Sequence, residues 1–345
     1  MINKRIEWID IAKYICIIFV ISGHLETNTE LLHSFYTPFF LNGFLFVSGY
    51  CYKNRNDFAS MLRKKIVQLF IPWLLWSFLK LCVHQVYSSF GKVNHEMSFG
   101  EGLKWMLLQI RGVNDSTWFV AMMFISFIPF FFLIRSYEAS LNKKKYKWLL
   151  LALYFLGQIY SEYMPPFSYG TNALPWHIEY LPVSLLFMFL GYEYRNCYEQ
   201  KVREKESRYF PYITVLFLLL FVVSYICSFI KPVDIVFQLI SRFVGVTELV
   251  LVSKRIKANR YILFVGQNTL IYFPMHIYIT TAMRKFMEKL IPEIYGTILN
   301  NQILSTGCTI LFALLISVIL IPPAKLINKY LPFMAGKSRL LHTKQ

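Results

Sequence analysis

Three ionisable residues, Asp10, Lys13 and His24, stand in the first apolar stretch of the chain, IDIAKYICIIFVISGHLE. At 100° and 1.5 Å per residue, the eleven steps from Lys13 to His24 turn a helix by about 20° and climb about 16 Å, so both project to one side. Asp10 lies one turn before Lys13 on the same stripe. Ionisable groups inside a membrane span are costly and normally face a cavity, a partner or a reaction path. A neutral His24 imidazole in the outer third of the bilayer suits taking a proton from an attacking hydroxyl. A hydrogen bond between helices is the bland alternative. Asp10 and Lys13, at i,i+3, read either as a compensated ion pair or as a cation holding an anionic group that enters from the cytoplasm.

His276, in GQNTLIYFPMHIYI, is the second candidate. It sits about sixteen residues from the inner start of its span, as His24 does. Matching depth on two helices suggests a shared site, against two independent polar contacts. No third ligand of clear spacing is visible at that depth, so a metal site is not expected. Arg63, Lys64 and Lys65 lead into IVQLFIPWLLW, where three cations suit lipid headgroups or cofactor phosphates. Pro72 is expected to kink that helix. Trp118 begins a span and reads as an interface anchor or a stacking platform. Arg242, mid-span in SRFVG, needs a partner or a water-filled cavity. Asn42, Gly43, Ser48 and Gly49, in FFLNGFLFVSGYCYK, permit close helix contact or, at Gly49, frame a cytoplasmic entrance. Ser48 is too far from His24 in depth for a Ser–His pair.

The elements that must carry these groups are membrane helices. Apolar residues make up 56% of the 345, aromatics 18% and charged residues only 16%, which excludes an ordinary soluble domain. Hydropathy predicts an all-α bundle of ten spans near 8–27, 35–52, 66–89, 117–134, 147–161, 175–194, 210–230, 233–253, 261–283 and 302–323. The net charge of +17 invites a nucleic-acid reading, but its distribution opposes it. Alternate loops and both termini hold 26 of the 36 Lys and Arg, and the opposite set holds 7. This is the positive-inside pattern, with both termini cytoplasmic and anionic headgroups as secondary partners. One membrane domain over 5–330 and a basic tail over 331–345 are expected. The longer outer segments 91–116 (with GVNDST) and 162–178 (EYMPPFSYGTNALPWHI) suit covers for an outward-facing cleft. The six cysteines form no CxxC and read as free buried thiols. No removable signal peptide is expected.

In order along the chain, these elements resemble the acyltransferase-3 family of integral membrane acyltransferases. The resemblance rests on Asp10-Ile-Ala-Lys13 followed by His24, and on Phe44-Leu-Phe-Val-Ser48-Gly49. It also rests on the basic run reaching Pro72, Trp118-Phe119, and Gly266-Gln-Asn268-Thr-Leu-Ile-Tyr272 ahead of His276. It implies transfer of an acyl group, usually acetyl from acetyl-CoA, to a hydroxyl of a glycan or lipid-linked sugar in a bacterial cytoplasmic membrane. Lys13 stands where related glycan O-acetyltransferases carry arginine, and Met123 replaces the glutamate of their Trp-Ser-Leu-x-x-Glu element. Both features look like the stand-alone, fucose-4-O-acetylase-like branch.

On that reading, Lys13, Arg63, Lys64 and Lys65 bind the phosphates of acetyl-CoA, a co-substrate rather than a permanently bound cofactor. Asp10, Lys13, His24 and His276 form the catalytic set, with His24 as general base or transient acyl carrier and His276 or Asn268 stabilising the oxyanion. Trp118, Asn268 and Arg242 contact the acceptor. A saccharide or lipid transporter would use the same intramembrane groups, although no inverted repeat is visible; a catalytically dead scaffold is the third class. The acceptor sugar, the acyl chain and the oligomeric state are not written in the sequence.

Overall fold

The computed structural model describes residues 6–54, 57–89, 98–110, 117–165 and 173–337. Among these, every regular element is helical. The chain divides into two compact units, 1–52 with 187–324 and 53–186 with 325–345. The first three helices, α1 (Glu7–Gly23), α2 (Glu30–Tyr36) and α3 (Phe40–Tyr50), belong to the first unit. The second unit continues with α4 (Phe58–Lys65), α5 (Ile71–Ser89), α6 (Phe99–Leu108), α7 (Trp118–Ala139) and α8 (Lys144–Tyr163). Within α9 (Leu181–Glu193) the chain returns to the first unit. There follow α10 (Glu199–Arg203), α11 (Glu206–Ile226), α12 (Lys231–Arg255), α13 (Arg260–Gln267), α14 (Thr269–Leu290), α15 (Pro292–Asn300), α16 (Gln302–Ile319) and α17 (Ile321–Tyr330).

Five helical stretches among the described residues are long and apolar enough to cross a membrane: Phe58–Ser88, Trp118–Ala139, Glu206–Ile226, Lys231–Arg255 and Gln302–Tyr330. A sixth is formed if α13 and α14, bent by 90° at Asn268, count as one broken span. The other four of the ten predicted spans fall on α1, which has 17 residues, on the pair α2 and α3, on α8, and on a 3-10 turn (Pro175–Tyr180) running into α9.

In the first unit, α1 packs against α3, α12, α13, α14 and α16. Its fully buried Ala12, Ile17 and Ile21 show why the segment reads as almost continuously apolar. Glycines set how closely its neighbours approach. A Cβ on Gly49 would lie 1.8 Å from the Met188 carbonyl oxygen, and one on Gly191 would lie 2.0 Å from that of Phe46, so α3 and α9 meet backbone to backbone. The small residues of FLFVSG therefore serve packing.

In the second unit, Pro72 is absorbed without ending the helix. Proline cannot donate to the carbonyl four residues back. The backbone widens into a π-helical turn over Ile66–Phe70, and the helical stretch continues from Phe58 to Ser88. All six cysteines are free; Cys16 is buried, whereas Cys51, Cys197 and Cys227 are exposed. The polar run 112–116, most of the Pro/Gly-rich segment (166–172) and the tail end 338–345 lie outside the described residues.

Candidate active site

The site in the first unit is built on α1. Asp10 is almost wholly buried, and its carboxylate lies 2.7 Å from the Lys13 ammonium. The Gln267 side-chain amide donates to the other carboxylate oxygen at 3.3 Å. This approach depends on Gly266, because a Cβ there would lie 2.0 Å from the Asp10 carbonyl oxygen. The next residue, Asn268, makes the bend. Its side-chain amide donates to the Phe264 carbonyl at 2.7 Å, closing α13, and its own carbonyl accepts from Ile271 N–H at 2.8 Å, opening α14. Gly266, Gln267 and Asn268 thus have three separate jobs: close approach, a hydrogen bond to Asp10, and the turn.

That bend aims α14 so that His276 meets His24. The two rings lie 4.8 Å apart, centroid to centroid, inclined at 52°. His276 is buried, and its Nδ1 lies 3.0 Å from the Tyr272 carbonyl oxygen. A carbonyl only accepts, so Nδ1 carries the hydrogen and Nε2 of the neutral ring carries the lone pair. Nε2 is buried without a hydrogen-bond partner. His24 caps the end of α1 and is exposed. It lines an open cavity of about 440 Å³ together with Glu26, Thr280, Arg284 and Tyr295.

Glu26, Arg284 and Tyr295 carry no sequence signal of their own beyond Glu26 standing two residues past His24. The Tyr295 hydroxyl donates to a Glu26 carboxylate oxygen at 2.8 Å. Burial, followed by that carboxylate, pushes the Tyr295 phenol up, so it remains a donor across the neutral range. Arg284 faces Glu288 at 3.8 Å with both side chains about half exposed, a weak pair that leaves the guanidinium adaptable.

The remaining sequence candidates lie elsewhere. Arg242, also in the first unit, donates to the Gln238 side-chain carbonyl at 2.7 Å and lines a second cavity that does not include His24. Arg63, Lys64, Lys65 and Trp118 belong to the second unit. Arg63, Lys64 and Lys65 form the last turn of α4, where Arg63 and Lys64 are exposed and Lys65 sits 3.5 Å from the centre of the Phe127 ring. Trp118 packs 4.8 Å from the His177 ring and 5.3 Å from Tyr180. Among the described residues no three His, Cys, Asp or Glu side chains converge on a metal position.

The family model described as an acyltransferase domain matches residues 6–321, nearly the whole chain and both of its units. The chain belongs to the acyltransferase-3 family. It is a multi-pass membrane acyltransferase. Comparison of this acyltransferase with curated proteins and with solved structures gives no match.

Proposed function

We propose that this acyltransferase moves an acetyl or other short acyl group from cytoplasmic acyl-CoA to a hydroxyl of a cell-surface glycan or lipid-linked saccharide. It would do so from ten spans of a bacterial cytoplasmic membrane, with both termini inside. The observation that carries the reading is an exposed imidazole, His24, at an open cavity and in contact with a second, buried imidazole, His276. Lys13 lies about 16 Å below along α1, a distance suited to the arm of a coenzyme whose phosphates stay at the inner face.

The acceptor enters the cavity, where Glu26, Tyr295 and Arg284 offer hydrogen bonds to a polyhydroxylated ligand. His24 takes the proton of the acceptor hydroxyl as its oxygen attacks the thioester carbonyl. The C–S bond breaks as the tetrahedral intermediate collapses, and the imidazolium returns its proton to the departing coenzyme thiolate. His276, with a lone pair on Nε2, orients His24 or shares its proton. The same lone pair argues against the neutral ring as an oxyanion donor, which leaves Asn268, whose amide has a second N–H beside the one given to Phe264, as the candidate for that role.

The test uses purified full-length protein in lipid nanodiscs with radiolabelled acetyl-CoA. His24→Ala should lower acetyl transfer, and the slow hydrolysis of the thioester, by roughly 10²–10⁴-fold at unchanged protein level and thermal stability. Acetyl transfer retained by the variant would remove His24 from the mechanism. Saccharide flux without acetyl consumption by the native protein would replace the enzyme with a transporter.

A further inference from the structure

The His24 cavity has two kinds of wall. Glu26, Arg284 and Tyr295 form a polar side, and Ile277, Met283, Met287 and Phe312 form an apolar one. Helix geometry places the apolar side next to the paired imidazoles. At 100° and 1.5 Å per residue, Met283 and Met287 point within about 20° of His276 along α14 and stand about 10 and 16 Å beyond it. Arg284 is turned away from that stripe by about 80°. Side chains on a helix lean toward its N-terminus, so both methionines reach back toward His276.

On α16, Ser305 donates to the Thr27 carbonyl at 2.8 Å and Thr309 to the Thr27 hydroxyl at 2.7 Å. Phe312, seven and three residues further on, shares that helix face. The two bonds tie the segment just after His24 to α16, and Phe312 lines the same cavity as His24. Ile277, Met283, Met287 and Phe312 are all half-buried, so each keeps apolar surface that a ligand could cover.

A polyhydroxylated acceptor is held by the polar side. An acetyl group would offer the other side a single methyl. In the transfer mechanism the thioester reaches His24 from the inner face, so the acyl group is the leading end of the donor and the first part to enter the cavity. Methionine is unbranched and adapts to irregular apolar ligands. Burying each further methylene of an acyl chain against such a wall is favourable.

We infer that Met283, Met287 and Phe312 form a pocket for the hydrocarbon chain of the transferred group, so that the preferred donor carries a short acyl chain longer than acetyl, such as butyryl. The inference rests on the acyl-transfer reading and narrows its donor.

The test gives purified full-length protein in lipid nanodiscs acetyl-, propionyl- and butyryl-CoA in turn and follows release of the coenzyme thiol. In native protein kcat/KM should rise by roughly two- to fourfold with each added methylene. Phe312→Trp and Met283→Phe, which fill the pocket, should each lower the butyryl-to-acetyl ratio of kcat/KM by at least about fivefold. A ratio taken on one preparation does not depend on the fraction that is folded. A native ratio of one or less overturns the inference, as does a ratio that neither variant moves. A second measurement needs no turnover: the thioethers S-ethyl- and S-butyl-coenzyme A are titrated calorimetrically. S-butyl-coenzyme A should bind native protein at least about fourfold more tightly, and Phe312→Trp should remove the difference. Thiol release with the two thioethers bound equally would overturn the chain pocket alone. No release from any donor and no binding of either thioether would overturn the acyl-transfer reading and the pocket together.

Discussion

Each unit buries one imidazole whose Nδ1 is anchored and whose Nε2 has no partner, and the two sites differ in everything else. His276 of the first unit is anchored by a backbone carbonyl on its own helix and touches a second, exposed imidazole at an open cavity. His177 of the second unit is anchored by the Glu179 carboxylate at 3.2 Å, and Glu179 also accepts from the Leu174 N–H at 2.9 Å. His177 is fully buried, packs on Trp118, and follows Trp176 into the left-handed region with φ of 55° and 58°. Such backbone costs on the order of 1–3 kcal/mol per residue and persists only where surroundings over-determine it. Trp176, between Phe70 at 6.2 Å and Trp73 at 4.6 Å, supplies that packing. A carboxylate-backed histidine alone would have favoured His177 as the reactive group. What separates the two is access: His276 has an exposed partner that a substrate can touch, and His177 is surrounded by what holds its own turn in place.

The comparison breaks first at the buried carboxylates. Asp10 has Lys13 as its cation, with side-chain exposures of 2% and 22%, whereas Glu179 is satisfied by hydrogen bonds from its own turn. Stripping a buried ion pair of one partner costs about 3–5 kcal/mol. Lys13→Met should therefore destabilise the protein by about 3 kcal/mol in thermal or denaturant unfolding, since Gln267 still holds one carboxylate oxygen. Asp10→Asn combined with Lys13→Met should recover most of that stability without recovering acetyl transfer. A double variant as unstable as the single one would show that the pair serves something other than charge compensation.

A smaller effect sharpens the histidines themselves. His276→Ala should lower turnover by about 10²-fold, within the range of a proton-handling group, with little change in unfolding temperature. His177→Ala should do the reverse, lowering stability by about 1–3 kcal/mol as Glu179 loses one of its two hydrogen bonds, with turnover per folded molecule preserved. Turnover and unfolding are measured on the same preparations. A crossed result, with His177 controlling turnover and His276 only stability, would move the chemistry to the second unit.

What the sequence disclosed about this site is what periodicity and depth encode. Asp10, Lys13 and His24 share a stripe because 3.6-residue geometry leaves no other arrangement on one continuous helix, and α1 is continuous from Glu7 to Gly23. His24 and His276 do meet, although the 90° bend at Asn268 means that equal residue counts along the two apolar stretches are not equal distances. The break itself was legible only as the string Gly-Gln-Asn, since a Cβ clash between Gly266 and Asp10 is a contact across 256 positions and has no local pattern. The breaks between α2 and α3 and at the turn before α9 lie inside predicted apolar stretches, because apolar content does not report where a helix stops. Arg242 announced its need for company, yet its ladder to Asp234 through Gln238 shows only when i,i+4 neighbours are placed on a real helix face. Glu26, Arg284 and Tyr295 come from three separate segments and were invisible for that reason.

The smallest predicted effect concerns the cavity rim, where the second unit's site has no counterpart among its described partners. Tyr295→Phe removes one hydrogen bond to Glu26 and no packing volume, and a bond to a charged acceptor is worth about 1.5–3 kcal/mol at most, less at an open rim. If Tyr295 and Glu26 contact the acceptor, that loss falls on acceptor binding: KM for the acceptor should rise by roughly three- to tenfold with kcat for acetyl transfer held. If they only tie α15 to the end of α1, the variant should lower the unfolding temperature by a few degrees and leave KM alone. Because the phenol titrates above its ordinary range, the native KM should stay flat from neutral pH to about 9, where an unperturbed tyrosine would begin to lose its proton. A native KM that climbs below that pH would show the rim to be wetter than its geometry implies, and would weaken the case for Glu26 and Tyr295 as the groups that receive the acceptor beside His24.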